Sequence, residues 1–354
     1  MVFKGRKIHS NLYLLLLLLL IVMAMTGCTA TSDPNTSQAK EDPAAFFEGK
    51  TIRFLVPFKA GSSFDMYPRM MAPILEKEMG VTIQVENLTG AGGMLMYNEL
   101  AEAKPDGLTL GIMAVLGAGM AQLGEAPGIE YDMKELTWIG RYVDEPQVIA
   151  VKKDSPWKTF DDILASDKKI IFGSTGYTAS TYTNPLVVSM ALDAPLDMIT
   201  GYEGSDDVIK GVLRNDTDAL AISTGSSRIT SNIDEIRGLL LLASEPNSVF
   251  PDTPLVYDYA KTDRAKNILD TYIPVLDIYR SAAAPPGLSP EKTKYLREMF
   301  AKASNSEDYK NKTEKAKMAV NFLSGEEVSK KVEKIFSNPN QELVEVLKEN
   351  YNKK

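Results

Sequence analysis

The stretch TIRFLVPFKAGSSFD, residues 51–65, decides how the chain is read. Thr51 to Pro57 is a short apolar run of strand length, and Lys59 to Ser63 breaks it with a glycine and two hydroxyls. From Phe64 to Met79 the apolar residues Met66, Met70, Ile74 and Met79 recur at helical spacing. Strand, Gly/Ser loop and helix in that order form the first half of a βαβ unit.

The pattern then repeats. Val81–Glu86, Leu108–Val115, Lys169–Phe172, Asp197–Gly201 and Ala219–Ser223 read as strands. Gly93–Ala103, Ser180–Leu192, Ser205–Leu213 and Ser226–Asn232 read as helices, and Pro105-Asp106-Gly107 supplies turn chemistry. Such alternation predicts an α/β protein with parallel sheets covered by helices on both faces. Two extended stretches, Gln147–Val151 and Ile273–Ala283, interrupt it and are expected to be hinge crossings between two lobes. The first lobe would then be discontinuous, residues 46–148 and 279–354, with 149–278 as the second lobe. The tail from Pro290 is helical and charged and would pack back on the first lobe.

Ahead of this domain, Lys4, Arg6 and Lys7 precede an uncharged apolar stretch from Leu12 to Met25. That stretch reaches about 21 Å as a helix against a hydrocarbon core of roughly 30 Å, which fits a secretion signal rather than a spanning helix. Met25-Thr26-Gly27-Cys28 resembles a bacterial lipobox, so residues 1–27 are expected to be a lipoprotein signal peptide and Cys28 the lipidated residue. An ordinary signal peptide that happens to contain a cysteine is the alternative. Residues 29–45 are small, polar and Pro-containing, the composition of a flexible tether.

Composition narrows the chemistry. His9 is the chain's only histidine and Cys28 its only cysteine. After the expected cleavage neither imidazole nor free thiol remains, which removes Ser-His-Asp and Cys-His nucleophiles, His/Cys zinc sites and disulfides. An enzyme is therefore disfavoured, and no cofactor is called for. The net charge of −8 becomes three units more negative without Lys4, Arg6 and Lys7, a sign that disfavours nucleic acid.

Four loops at expected strand ends are rich in Gly, Ser and Thr: Lys59–Asp65, Gly90–Gly93, Gly173–Thr181 and Tyr202–Ser205. In open α/β sheets ligands bind outside the carboxyl ends of strands, where helix N-termini offer unsatisfied N–H groups and about half a positive charge. For any single loop, plain helix capping accounts for the residues as well as ligand binding does; four together point to capture of a carboxylate or phosphate. Sharper motifs fail. Gly90-Ala91-Gly92-Gly93-Met94-Leu95 lacks the last glycine of GxGxxG, and neither a phosphate-binding GxxxxGK[ST] loop nor a GxSxG elbow occurs. The acidic pairs Asp161-Asp162, Asp206-Asp207 and Glu326-Glu327 read as solvated helix faces, and the methionines as core.

In this order the loops resemble the Bug-type receptors of tripartite tricarboxylate transporters. Val56–Asp65 looks like VPFxAGGxxD, with Arg69 at a basic position after it, and Val85–Gly93 is similar to VENxxGAGG. Lys104–Leu110 stands for xPDGYTL, Gly173–Thr181 for a GSxGxGSTTH-like loop, Tyr202–Ser205 for YKGS and Ala284–Gly287 for APxGxP. The resemblance implies a periplasmic-binding-protein fold of type II, two α/β lobes joined by two crossings and closing on a small carboxylate. It implies an extracytoplasmic receptor, monomeric and held to the membrane through Cys28, that hands solute to a two-component integral membrane permease. By motif position, Gly61, Ser62, Ser63, Asp65, Gly90, Gly92 and Gly93 would line the cleft from the first lobe. Thr175, Thr178, Ser180, Thr181 and Ser205 would line it from the second. The alternatives are a ligand sensor for a signalling partner such as a sensor kinase, and a carboxylate-dependent envelope enzyme. Ser62, Tyr182 and Glu203 depart from the family pattern, and the strand Leu220–Thr224 lacks the Asp-Asn many members carry. Glu203, if it faces inwards, would discourage a highly anionic ligand, and the missing Asp argues against an amino acid.

Overall fold

The computed structural model describes residues 42–352 apart from 177–178, 226–228 and 230; the side chains of residues 205, 206 and 352 are not among those described. A short helix α1 (Pro43–Phe47) starts the domain, with buried Phe47 stacked on Tyr295 at a ring separation of 5.4 Å. The βαβ reading of the opening stretch holds: β1 (Thr51–Val56), α2 (Ser63–Met79) and β2 (Thr82–Asn87) follow one another, and β1 and β2 pair in parallel. Next come α3 (Met94–Glu102), β3 (Thr109–Ala114), α4 (Val115–Leu123) and β4 (Thr137–Val143).

The second sheet begins with β5 (Gln147–Lys152) and continues through α5 (Phe160–Leu164), β6 (Ile170–Ser174), α6 (Ser180–Leu192) and β7 (Leu196–Thr200). It closes with α7 (Ser205–Leu213), β8 (Ala219–Ser223) and β9 (Ile236–Leu242). Helices α8 (Val256–Tyr259) and α9 (Asp263–Asp277) lead back to β10 (Arg280–Ala284). Helices α10 (Pro290–Asn305) and α11 (Glu307–Lys315), strand β11 (Leu323–Ser324), and helices α12 (Gly325–Ser337) and α13 (Gln341–Asn352) complete the chain.

The strands form two sheets, one ordered β11-β4-β10-β3-β1-β2 and the other β7-β6-β8-β5-β9. This is the two-lobed type II arrangement expected from the sequence. Helices α10 and α12 pack on β4, so the charged C-terminal tail does return to the first sheet. One apolar core runs through the first sheet and on between α6 and α9, and a second lies on a face of the other sheet among Val148, Val208, Leu220, Ile222 and Leu241.

Two expectations about the sheets and crossings are corrected. The sheets are mixed rather than wholly parallel: β10 runs antiparallel to β3 and β4, and β5 runs antiparallel to β8 and β9. Those reversals fall where the chain passes between sheets, because a strand arriving by a short crossing enters from the opposite end to one delivered by a βα unit. The crossings also lie elsewhere than read. Gln147–Val151 belongs to a fully embedded strand, and the first crossing is Asp144-Glu145-Pro146, between β4 and β5. Ile273–Asp277 is the end of α9, not a strand. The first turns of α9 expose Asp263, Arg264, Lys266, Asn267 and Asp270, but its last turns bury Thr271, Tyr272, Ile273, Val275 and Leu276 nearly all round, and such a stretch carries no one-sided stripe.

Candidate functional site

Between the two sheets lies a cleft of about 580 Å³. The first residues of two long helices border it from opposite sides, Ser63 at the start of α2 and Ser180 at the start of α6. Each helix follows a loop at a strand end, which is why two of the four Gly/Ser/Thr loops, Lys59–Asp65 and Gly173–Thr181, reach the cleft through Ser63 and Ser180. Each helix brings unpaired N–H groups and the positive end of its dipole.

The floor is built by the crossings. Glu145 and Arg280 both border the cleft, one on the first crossing and the other at the start of β10. Arg280 Nη2 lies 3.0 Å from each carboxylate oxygen of Glu145 and donates to Oε1. The side chains keep only 14% and 12% of their exposure. Around the guanidinium stand three rings, with Phe64 at 4.7 Å and Tyr67 and Tyr279 each at 5.6 Å from ring centre to Cζ. Its Nε is buried without a hydrogen-bond partner among the described residues. Burial pushes the Glu145 carboxyl above its usual range, although Arg280 and the Ser223 hydroxyl oppose the shift. Asp144 is likewise raised by burial, with Arg141 and Asn321 opposing. Backbone and side chains stitch the crossings together: Glu145 N donates to Leu276 O at 3.0 Å, and Arg141 donates to the carbonyls of Asn321 and Asp277.

Polar groups complete the wall from the second sheet. Thr224 N donates to Pro146 O at 3.0 Å, and Asn247 Nδ2 donates to Thr224 Oγ1 at 3.2 Å; Ser223, Thr224 and Asn247 all border the cleft. The rest of the lining includes the apolar or aromatic Met66, Tyr67, Ile222 and Tyr279, together with the polar Ser248 and Lys317.

Of the residues expected to line the cleft, Ser63 and Ser180 border this volume. Others hold the loops that surround it. Asp65 is 2% exposed and faces inward. Its carboxylate accepts from Gly61 N at 2.8 Å, from Arg69 Nε at 2.8 Å and from Asn87 Nδ2 at 2.8 Å. Burial opposes its ionisation, yet these bonds hold its pKa below the ordinary carboxylate range. Asp65 is thus a brace of the first loop, with its acceptors committed inside the protein. Gly61 turns the chain at φ +78° so that its N–H reaches that carboxylate, and Ser62 caps α2 by accepting from Asp65 N at 3.4 Å.

Gly90, Gly92 and Gly93 form the turn into α3 and are not among the residues bordering the cleft. At Gly93, φ is +101° and a Cβ would stand 2.5 Å from Tyr97 Oη and 2.9 Å from Pro57 Cβ, so close packing of the loop on β1 requires glycine. Thr181 is 2% exposed. Its Oγ1 lies 3.1 Å from Ser174 Oγ and accepts from Thr175 N at 3.2 Å, which ties Thr175 and Thr181 into one loop beneath Ser180. Ser205 begins α7, but its side chain is outside the described ones; Thr178 and Cys28 are outside the described residues altogether. Glu203 is exposed and does not border the cleft, so the expectation that it tunes the ligand's charge has no support in its position.

Sequence reasoning missed the floor. Glu145, Tyr279 and Arg280 lie outside the Gly-rich loops. The available signal was two charges, Asp277 and Arg280, set within the otherwise apolar run Ile273–Ala284, and a Glu-Pro pair directly before a strand.

Two mixed α/β sheets, two short crossings and a ligand-sized cleft between them define a solute-binding protein of the periplasmic type. Residues 68–345 match the family described as Tripartite tricarboxylate transporter family receptor (TctC), and the chain belongs to that family. The family is one of receptors rather than enzymes, which bears out the reading from composition.

Individual relatives are distant. A protein from the Agrobacterium vitis TAR-I ttuE-ttuC' intergenic region is 27% identical over 233 residues, 64% of this chain, and the chain spans 65% of that relative's length. A Cupriavidus necator protein of the gbd 5' region is 25% identical over 308 residues, 82% of this chain and 85% of its own. Among solved structures, a TctC solute-binding protein from Polaromonas without ligand matches at TM-score 0.68 and 19% identity, over 86% of this chain and 99% of that one. MatC from Rhodopseudomonas palustris with bound malate matches at TM-score 0.58 and 18% identity, over the same shares. A second R. palustris protein, solved with adipate, matches at TM-score 0.60 and 16% identity, over 85% and 97%. These structures share the fold with this chain.

Proposed function

We propose that this protein is an extracytoplasmic solute-binding lipoprotein that captures a small carboxylate by lobe closure and delivers it to a two-component membrane permease. The observation that carries the reading is the convergence of the α2 and α6 N-termini, through Ser63 and Ser180, on one cleft floored by a buried guanidinium. Helix dipoles and N–H groups favour an anion, and Arg280 adds a fixed donor fork. Malate and adipate in the two R. palustris proteins are carboxylates held by the same fold, which supports this ligand class.

With the crossings at Asp144–Pro146 and Asp277–Tyr279, residues 43–143 and 280–352 would make one lobe and 147–276 the other, swinging about those two segments. A ligand gripped from both sides binds the closed arrangement better, and only such a preference shifts the equilibrium toward closure. Lipid on Cys28 with residues 29–42 as a tether (Pro43–Ala45, expected in it, belong to α1 instead) would keep the receptor near its permease at high local concentration.

Thermal denaturation of the protein lacking residues 1–27, against succinate, malate, adipate, citrate and butanoate, tests the reading. A true ligand at a hundred times its Kd adds about 2.7 kcal/mol. At least one carboxylate should raise Tm in a dose-dependent way, and flat melting curves across the panel would rule the carboxylate receptor out.

A further inference from the structure

We propose that the Glu145–Arg280 pair is the specificity element of the cleft: Arg280 takes the single carboxylate of a small ligand, while Glu145 and Asp144 turn away a second. The inference rests on the carboxylate-binding reading above and adds the ligand's charge and shape to it.

Arg280 borders the cleft and keeps 14% of its side chain exposed there. Glu145 accepts from Nη2 and the Tyr67 hydroxyl also bonds the guanidinium, while the cationic face left at the cleft is what a ligand carboxylate would meet. Phe64, Tyr67 and Tyr279 hold the guanidinium in place by their ring faces. Little side-chain freedom is then lost when a carboxylate docks.

The acids set the limit. Among the residues bordering the cleft, Asp144 and Glu145 are anionic, and Arg280 and Lys317 are cationic. Lys317 is exposed and hydrated, whereas Glu145 already occupies one edge of the guanidinium at 3.0 Å. One donor edge remains on the floor, and a second carboxylate there would meet two partly buried carboxylates at low dielectric. Met66, Ile222, Val249 and Met318 offer apolar wall for the rest of the ligand. The cleft therefore suits a monocarboxylate with a small apolar body.

Butanoate and succinate share four carbons and differ by one carboxylate, so calorimetric titration with these two and citrate reads the charge rule directly. Wild-type protein should bind butanoate at least tenfold more tightly than succinate or citrate. Glu145→Gln should raise succinate affinity at least tenfold by removing one repelling charge. Arg280→Gln combined with Glu145→Gln leaves the net charge of the floor unchanged, and, folded by circular dichroism, it should lose at least tenfold in butanoate affinity. Succinate or citrate bound as tightly as butanoate, E145Q without gain for succinate, or a folded double variant binding butanoate like wild type would each overturn the charge rule while leaving a carboxylate receptor intact. No binding of any of the three by wild type would remove the carboxylate reading itself, and the charge rule with it.

Discussion

Glu145 lies on one crossing of the chain and Arg280 directly follows the other, and their side chains meet with Nη2 3.0 Å from Oε1. The contact ties Asp144–Pro146 to the strand that follows the turn between α9 and β10, the two segments that pass between the sheets among the described residues. In the proposed account, charge recognition and lobe movement would share one place in the molecule. A ligand held by Arg280 acts on the axis about which the lobes would turn, and polar contacts such as Glu145 N to Leu276 O keep that axis a single unit.

Protonation of Glu145 should be felt by the ligand. Its carboxyl is raised above the usual range by burial, so it takes up a proton at a higher pH than a free glutamate. Losing that negative charge beside Arg280 strengthens the floor's pull on a carboxylate. Butanoate affinity should therefore rise as pH falls from 7 toward 5, and E145Q should flatten the profile. An affinity that falls over this interval in wild type would contradict the assignment.

Asp65 should matter for stability before it matters for binding. Replacing it with Ala strands the Gly61 N–H and the Arg69 and Asn87 donors, and should cost about 3 kcal/mol in urea unfolding. Because its folded pKa lies below its unfolded one, its contribution is complete above the ordinary Asp range, roughly pH 4, and disappears as pH falls through the folded value. Asp65→Asn should lack that portion of the acid transition. An Asp65→Ala variant as stable as wild type would mean the carboxylate braces nothing.

Ser180 and Thr181 should separate although they are neighbours. Ser180 borders the cleft, while Thr181 is committed to Ser174 and Thr175. Thr181→Val should lower stability by about 1–2 kcal/mol by orphaning those groups, whereas Ser180→Ala should leave stability within about 0.5 kcal/mol and weaken carboxylate binding. Equal effects of the two on binding, with no difference in unfolding, would place both hydroxyls in the same role.

The fold was legible because apolar periodicity and Gly/Ser punctuation agree along most of the chain. Ser180–Leu192, Ser205–Leu213 and Ala219–Ser223 were read to the residue. The crossings were not, since Ile273–Leu276 is buried all round and an all-apolar run does not tell helix from strand. Helix α4 was missed for the same reason: Val115–Leu123 carries no charge to mark an outer face. The Gly-rich loops pointed to the right strand ends, yet loop composition cannot say which hydroxyl faces the cleft and which faces its own loop. Arg280 was invisible as a site residue because its partner Glu145 lies far along the chain, and only the two sheets together bring them into contact.

Small-angle X-ray scattering of the protein lacking residues 1–27, alone and saturated with the carboxylate that most raises its Tm, tests closure on a carboxylate most directly. The radius of gyration should fall on ligand addition, and the fall should be absent in the folded R280Q/E145Q variant. Scattering curves that superimpose with and without a ligand proven bound by calorimetry would contradict a receptor that works by closing its lobes.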